Sequence, residues 1–172
     1  MPPMPDYIFN TTALSNFAAA GRLDLLATRY HDSAFTSVEV SDELRRGINA
    51  GYNFLEAAYH QLETVDPAGW LRVLSPESTS EHRLRTEFDE LLDPGEASCL
   101  ALAISRQLVF VTDDLAARQL AEARNVTLTG TLGILIALVR DKNLSLQEAN
   151  ELLIAMIQRG YRSPIERLDG LI

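Results

Sequence analysis

Short apolar runs alternate along the chain with longer segments in which apolar residues recur at helical spacing. The runs are rich in valine, isoleucine and phenylalanine, and this alternation is typical of parallel β-α units. The pattern predicts strands at Tyr7 to Phe9, Ala34 to Thr36, Leu71 to Leu74, Leu108 to Thr112 and Val126 to Leu128. We therefore expect an α/β fold in which a central parallel sheet of about five strands has helices on both faces.

Several helix ends can be predicted from local residue types. Asp93-Pro94-Gly95-Glu96 and Ser163-Pro164-Ile165-Glu166 each combine a capping side chain, a proline at the first helical position and an acid at the third. Ser145 to Glu148 has the pattern of a capping box, and Gly160 is typical of a helix end. From about residue 145 onward we expect a helical C-terminal part.

Length and composition narrow the class of protein. The chain has 172 residues, of which 47% are hydrophobic and 23% charged, so we expect residues 1–172 to form a single globular domain. The polar segment Ser75 to Arg85 predicts a mobile loop that is too short to separate two domains. The longest apolar run, Leu132 to Val139, cannot cross a bilayer, no signal pattern opens the chain, and the single cysteine, Cys99, fits a reducing compartment. These features predict a cytoplasmic protein without a membrane partner.

Three predicted strands run directly into helices through residues that carry oxygen ligands. Phe9 is followed by Asn10-Thr11-Thr12, Val111 by Thr112-Asp113-Asp114, and Leu128 by Thr129-Gly130-Thr131. Because the carboxyl ends of parallel strands lie along one edge of a sheet, these junctions should be neighbours in space. The sequence therefore predicts a functional site at this edge.

Two further acids are expected at the same edge. Glu96 occupies the first turn of the helix before the strand at Leu108. Glu43 shares a helical stripe with Val40 and Gly47, so it should face inward, whereas its neighbour Asp42 should pair with arginines on the surface.

Each acid also has a purely structural interpretation, as a helix cap or a surface ion pair. Together, however, three or four carboxylates at one edge would repel one another, and a bound divalent cation removes that cost. A set of oxygen ligands predicts Mg²⁺ or Mn²⁺ and argues against zinc, which prefers histidine and cysteine.

Four segments resemble the PIN-domain nucleases, many of which are VapC-type toxins of toxin–antitoxin modules. They are YIFNTTALSNFAAAGRLDLL, SVEVSDELRRG, LDPGEASCLALA and VFVTDDLAARQLAEARNVTLTGTLGILIAL, and together they span nearly the whole chain. The resemblance implies a three-layer α/β/α sandwich, an acidic pocket for Mg²⁺ or Mn²⁺, and hydrolysis of RNA by metal-activated water. It also implies a small antitoxin partner and a homodimer.

Residues of this sequence match the acidic motifs of the family one by one. Glu43, Glu96 and either Asp113 or Asp114 match the second, third and fourth acids. Asn10 falls where the first aspartate of the family is expected. An asparagine oxygen can bind a hard cation but brings no negative charge and cannot deprotonate a metal-bound water. We therefore expect metal affinity and turnover to be lowered.

The resemblance gives a complete predicted site. The predicted catalytic residues are Asn10, Glu43, Glu96, Asp113 and Asp114. The predicted metal ligands are Asn10, Glu96, Asp113 and Asp114. Thr12 matches the small hydroxyl residue near the first acid of the family, and Thr11, Thr12 and Arg118 are expected to position a substrate phosphate.

The neutral residue at position 10 leaves three interpretations open. The chain is a natural nuclease of reduced activity, a noncatalytic PIN-like module that binds other proteins, or a deliberately inactivated form of a toxic enzyme. The net charge of −9 favours the second, because nonspecific RNA affinity comes mainly from lysine and arginine. The homodimer has a further argument from the apolar residues near the C-terminus, which are Leu152, Leu153, Met156 and Ile157.

Overall fold

A parallel five-stranded sheet forms the centre of the protein, described here by a computed structural model of residues 3–172. Its strands are β1 (Tyr7–Phe9), β2 (Ala34–Ser37), β3 (Arg72–Leu74), β4 (Val109–Val111) and β5 (Leu128–Thr129). Their order across the sheet is β3-β2-β1-β4-β5, and every neighbouring pair is parallel. The predicted α/β/α sandwich with a sheet of this size is confirmed.

Helices connect the strands and cover both faces of the sheet. They are α1 (Thr11–Ala19), α2 (Leu23–Tyr30), α3 (Val38–Asn49), α4 (Leu55–Tyr59), α5 (Thr79–Asp89), α6 (Pro94–Arg106), α7 (Leu115–Ala123), α8 (Thr131–Arg140) and α9 (Leu146–Gln158). The core is centred on β1, whose Ile8 and Phe9 are fully buried, and on α6, which packs against it. Cys99 of α6 is buried as well, and burial raises the pKa of its thiol, so it behaves as a core residue.

The predicted helix caps are present in α6 and α9 but not at Ser163. Asp93 with Glu96 and Ser145 with Glu148 form capping boxes, and α9 ends before Gly160 as predicted. The prediction that a helix begins at Ser163 is wrong. Its hydroxyl donates to the Ile165 carbonyl at 2.5 Å and accepts from the Ile165 N–H at 3.3 Å, so the capping side chain closes a local turn instead.

The predicted mobile loop at residues 75–85 is also wrong for most of its length. A capping box between Ser78 and Glu81 begins α5 at Thr79. Glu81 is 4% exposed and pairs with Arg106 of α6 at 3.1 Å. The polar composition of this segment therefore belongs to a helix that is packed against a neighbour.

The apolar residues of α9 that suggested a dimer lie mostly within the chain. Leu152, Leu153 and Met156 are all buried, and Ile157 is half-buried. This surface therefore gives no argument for a second copy, and the homodimer stays a prediction from the family resemblance. None of the helices within residues 3–172 is long and apolar enough to span a bilayer.

Candidate active site

The three predicted strand-to-helix junctions lie side by side at one edge of the sheet. The Asn10 N–H donates to the Val111 carbonyl at 3.1 Å, and the Thr112 N–H donates to the Thr129 carbonyl at 3.0 Å. Each bond continues the pairing of the strands by one residue beyond their ends. The residues that follow β1, β4 and β5 are consequently held in fixed register.

Asn10 is buried and hydrogen-bonded at both ends of its side-chain amide. It is 1% exposed, and its Oδ1 accepts from the Thr12 N–H at 3.0 Å and from the Thr12 hydroxyl at 2.7 Å. Its Nδ2 donates to the Thr112 hydroxyl oxygen at 2.6 Å. Asn10 thus caps α1 and joins β1 to β4 through a neutral amide.

The two threonines after Asn10 hold acidic residues in place. The Thr12 hydroxyl accepts from the Asp113 N–H at 2.9 Å while it donates to Asn10. The Thr11 hydroxyl donates to Glu43 Oε2 at 2.6 Å. Both hydroxyls therefore connect elements of the site, in addition to the phosphate contacts predicted for them.

Glu43 faces inward between α1 and α6, on the helical stripe that the sequence indicated. Its second oxygen, Oε1, accepts from the Gly95 N–H at 2.8 Å. A side chain at position 95 would collide with it, because an added Cβ would lie 2.5 Å from both carboxylate oxygens. Burial raises the pKa of Glu43, and the charge of Asp93 raises it further. Asp42 pairs instead with Arg45 on the surface, at 3.2 Å.

Glu96 combines its capping role with a position among other acids. Its N–H donates to Asp93 Oδ1 at 2.9 Å, and its carboxylate accepts from the Asp93 N–H at 3.4 Å. Burial, followed by the charges of Asp93, Asp114 and Glu43, raises its pKa to about 8. The structural interpretation of Glu96 is correct, yet this carboxyl is also electrostatically destabilised as an anion.

The adjacent residues Asp113 and Asp114 have different surroundings. Asp113 accepts from the Thr131 N–H at 2.8 Å, the Thr131 hydroxyl at 2.5 Å and the Asn16 side-chain amide at 3.3 Å. Asp114 caps α7 by accepting from the Ala117 N–H at 2.8 Å, and its charge acts on Glu96. Asp113 therefore anchors the start of α8, whereas Asp114 caps α7 and acts on Glu96 of α6 through its charge.

Arg118 lies beside Asp113 at the end of β4. Its Nη1 donates to the Thr112 carbonyl at 2.9 Å, and its positive charge opposes the rise in the pKa of Asp113 that burial causes. The backbone of Gly130 passes close by, because an added Cβ there would lie 2.5 Å from Asp113 Oδ1 and 3.1 Å from Arg118 Nη1. A glycine at this turn allows Arg118 and Asp113 to share the strand end.

The sequence alone did not identify Asp93 and Asn16 as parts of this site, and it predicted Thr131 there only as a residue of the junction after β5. Asp93 could have been found, since it caps the same helix turn that carries Glu96. Thr131 and Asn16 contact Asp113 from positions 18 and 97 residues away in the sequence, and no local pattern predicts such pairs.

The carboxylates at this edge are of the right chemical type for a hard divalent cation, but they do not form a complete ligand set. Glu43, Glu96, Asp93 and Asp114 influence one another electrostatically and offer carboxylate oxygens, the ligands that Mg²⁺ and Mn²⁺ prefer. Within the part of the chain that the structure describes, however, no three acidic, histidine or cysteine side chains converge closely enough to form a complete ligand set.

Comparison with known proteins defines the family. A family model described as a PIN domain matches residues 6–172, so the chain belongs to the PIN-domain family. The crystal structure of PAE2754 from Pyrobaculum aerophilum has a similar fold, with a TM-score of 0.53 and 22% sequence identity over 79% of this chain and 98% of that chain. No curated protein sequence matches significantly.

Proposed function

We propose that this protein is a divalent-metal-dependent endoribonuclease of the PIN family whose activity is lowered by Asn10. The observation that carries the proposal is that Glu43, Glu96 and Asp114 lie near one edge of the sheet, close enough for their charges to act with burial in raising the pKa of Glu96 to about 8. Uncompensated acids in a fold of this family are typical of a site that gains stability from a cation. We further propose that the activity is that of a VapC-type toxin.

Glu96 and Asp114 are the residues that would hold Mg²⁺ or Mn²⁺, and Asp113 and Asn10 flank them. When bound, the cation supplies a Lewis acid that activates water and neutralises phosphate charge. Glu43 orients the site through its bonds to Thr11 and Gly95 and adds negative charge beside Glu96.

Two further residues position the RNA strand in this proposal. Thr12 fixes the backbone of Asp113 against the start of α1. The guanidinium of Arg118, held by the Thr112 carbonyl, pairs with a phosphate oxygen of RNA. A phosphate there would lie next to the acidic edge, as cleavage of the backbone requires.

The identity of residue 10 provides the direct test of the catalytic proposal. Asn10→Asp retains both bonds from Thr12 and only requires the Thr112 hydroxyl to donate where it now accepts. We expect Asn10→Asp to cleave single-stranded RNA at least about tenfold faster than the present chain in Mn²⁺ or Mg²⁺. If neither protein cleaves any RNA under these conditions, the catalytic proposal is wrong.

A noncatalytic PIN-like binding module is the alternative. The hydrogen bonds at both ends of the Asn10 side-chain amide support it. Both ends of that side chain are already hydrogen-bonded, so Asn10 serves the fold without a cation. The net charge of −9 also suits a protein partner better than RNA. If titration calorimetry shows no Mn²⁺ binding to this chain or to Asn10→Asp, the binding module is favoured.

A small antitoxin and a second copy of this chain are the proposed protein partners. A neighbouring gene for a small DNA-binding protein that co-purifies with this chain would support the toxin assignment. Gel filtration with light scattering tests the homodimer, because a monomeric mass at micromolar concentration would contradict it.

A further inference from the structure

A cleft of about 640 Å³ opens beside the acidic edge, between the beginning of α7, the beginning of α8 and the segment that follows α9. We call it the C-terminal cleft. Its functional lining consists of Asp113, Arg118, Gly130, Tyr161, Arg162 and Ser163. Because Asp113 and Arg118 belong to both regions, the C-terminal cleft continues directly from the candidate active site.

The outer wall of the cleft is fixed at both ends. Gly160, at a φ of +111°, reverses the chain after α9, and the Tyr161 N–H donates to the Met156 carbonyl at 3.0 Å. Further along, the Leu168 N–H donates to Asn150 Oδ1 at 2.7 Å, and the Leu168 side chain is fully buried. The segment between these anchors therefore forms a preformed wall.

The cleft is locally cationic in a chain whose net charge is −9. Arg118 and Arg162 both line it, and neither forms an ion pair with any acid in residues 3–172. Arg118 uses Nη1 for the Thr112 carbonyl and keeps its other N–H donors for a ligand. The two guanidinium groups, of which only Arg118 has the charge of Asp113 nearby, favour a ligand that carries phosphate.

Apolar surface adjoins these two cations. Tyr161 is half-buried in the wall, and burial together with the charge of Asp113 raises its pKa, so its ring stays uncharged. Leu115 also lines the cleft and is 69% exposed. A flat aromatic ring beside cationic donors is the combination that binds single-stranded nucleic acid, because the ring stacks on a base while the cations contact the backbone.

We infer that the C-terminal cleft binds the nucleotide next to the scissile phosphate of single-stranded RNA. Arg118 and Arg162 contact the phosphate, and the base stacks on Tyr161. This inference rests on the proposed function, since it places the RNA strand across the acidic edge. It would also allow an acidic protein to bind RNA, because the proposed cationic contacts lie together in this cleft.

Fluorescence anisotropy with a labelled single-stranded RNA oligonucleotide in EDTA measures binding without cleavage. We expect Arg162→Gln to weaken binding about five- to tenfold. The slope of log Kd against the logarithm of the salt concentration should decrease by about one. The matched control is Arg159→Gln, an exposed arginine at the end of α9 that does not line the cleft. Equal binding by Arg162→Gln and the wild type, or an equal loss in Arg159→Gln, would overturn the inference.

Substitutions of Tyr161 test the stacking separately. Tyr161→Leu should weaken binding about tenfold with an unchanged salt dependence, whereas Tyr161→Phe keeps the ring and should bind RNA like the wild type. Wild-type affinity in a folded Tyr161→Leu, or a tenfold loss in Tyr161→Phe, would contradict the assignment. Competition by a polyglutamate peptide as strong as that by RNA would assign the cleft to acidic peptides and would also contradict it.

These binding measurements remain informative whatever the outcome for catalysis. If RNA binds through Arg162 and Tyr161 but no metal supports cleavage, the cleft is correct and the nuclease proposal is wrong. If RNA is cleaved but Arg162→Gln and Tyr161→Leu bind it like the wild type, the nuclease proposal holds and the cleft assignment is wrong.

Discussion

Two corners of the same sheet edge differ in how their polar groups are satisfied. At the neutral corner, formed by Asn10, Thr12 and Thr112, hydroxyl and amide groups bond to one another in a buried network. At the charged corner, formed by Glu43, Glu96 and Asp114, burial and then the charges of Asp93, Asp114 and Glu43 raise the pKa of Glu96. The neutral corner is satisfied by its own hydrogen bonds, whereas at the charged corner a proton or a cation relieves the repulsion between the carboxylates.

The largest expected effect concerns the charged corner. Glu96→Gln keeps a side chain that can accept from the Asp93 N–H, so the helix cap is retained while the charge is lost. We expect Mn²⁺ affinity, and any metal-dependent cleavage, to fall about 100-fold. Titration calorimetry measures this change, and Glu122→Gln, at an exposed position of α7, is the control. Undiminished Mn²⁺ binding by Glu96→Gln would show that the two corners do not differ in this way.

A substitution at the neutral corner should instead lower the stability of the fold. Asn10→Ala removes the cap of α1 and leaves the buried Thr112 hydroxyl with only the Asp114 N–H as a partner. We expect the free energy of unfolding in urea to fall by about 2 to 4 kcal/mol. The loss should be the same with and without metal. Asn49→Ala, at an exposed position near the end of α3, should change it by less than about 0.5 kcal/mol. Similar losses in both variants would contradict a structural role for Asn10.

A smaller effect is expected where the backbone of α6 supports the charged corner. Gly95→Ala places a Cβ against the Glu43 carboxylate and should lower the free energy of unfolding by about 1 to 3 kcal/mol. In a Glu43→Ala background the collision disappears, so the same substitution should cost little. A double-mutant cycle measures this coupling, and strictly additive effects would argue against the contact.

The smallest expected effect is a dependence on pH. Because the pKa of Glu96 is about 8, a cation must displace its proton at neutral pH, and Mn²⁺ affinity should rise by up to about tenfold per pH unit until the pH passes that value. Without metal, the stability of the fold should change with pH in the opposite direction. The raised pKa stabilises the folded chain at low pH, and this contribution is lost as the pH rises through about 8, so Tm should fall. Glu96→Gln should flatten both profiles, and unchanged profiles in that variant would assign them to another group.

The sequence predicted the parts of this architecture that follow from local periodicity. Strand positions follow from short apolar runs, and the inward direction of Glu43 follows from its helical spacing to Val40 and Gly47. The helix that was expected at Ser163 shows the limit of such patterns, because the same hydroxyl can cap a helix or close a turn.

Other features depend on contacts between distant segments. The different roles of Asp113 and Asp114 could not be predicted, since both follow the same strand and only Thr131 and Asn16 distinguish them. The C-terminal cleft was missed for the same reason. The turn at Gly160 brings Tyr161 and Arg162 to the same cleft as Arg118, and no local pattern connects these residues.

Titration calorimetry with Mn²⁺ at pH 7, in two buffers of different ionisation enthalpy, tests the central claim most directly. If Glu96 takes part in binding, the wild type should bind Mn²⁺ saturably and release a proton from Glu96. Glu96→Gln should lose this proton release, whereas Glu122→Gln should behave like the wild type. No saturable binding by the wild type, or the same binding and proton release in Glu96→Gln, would contradict the account.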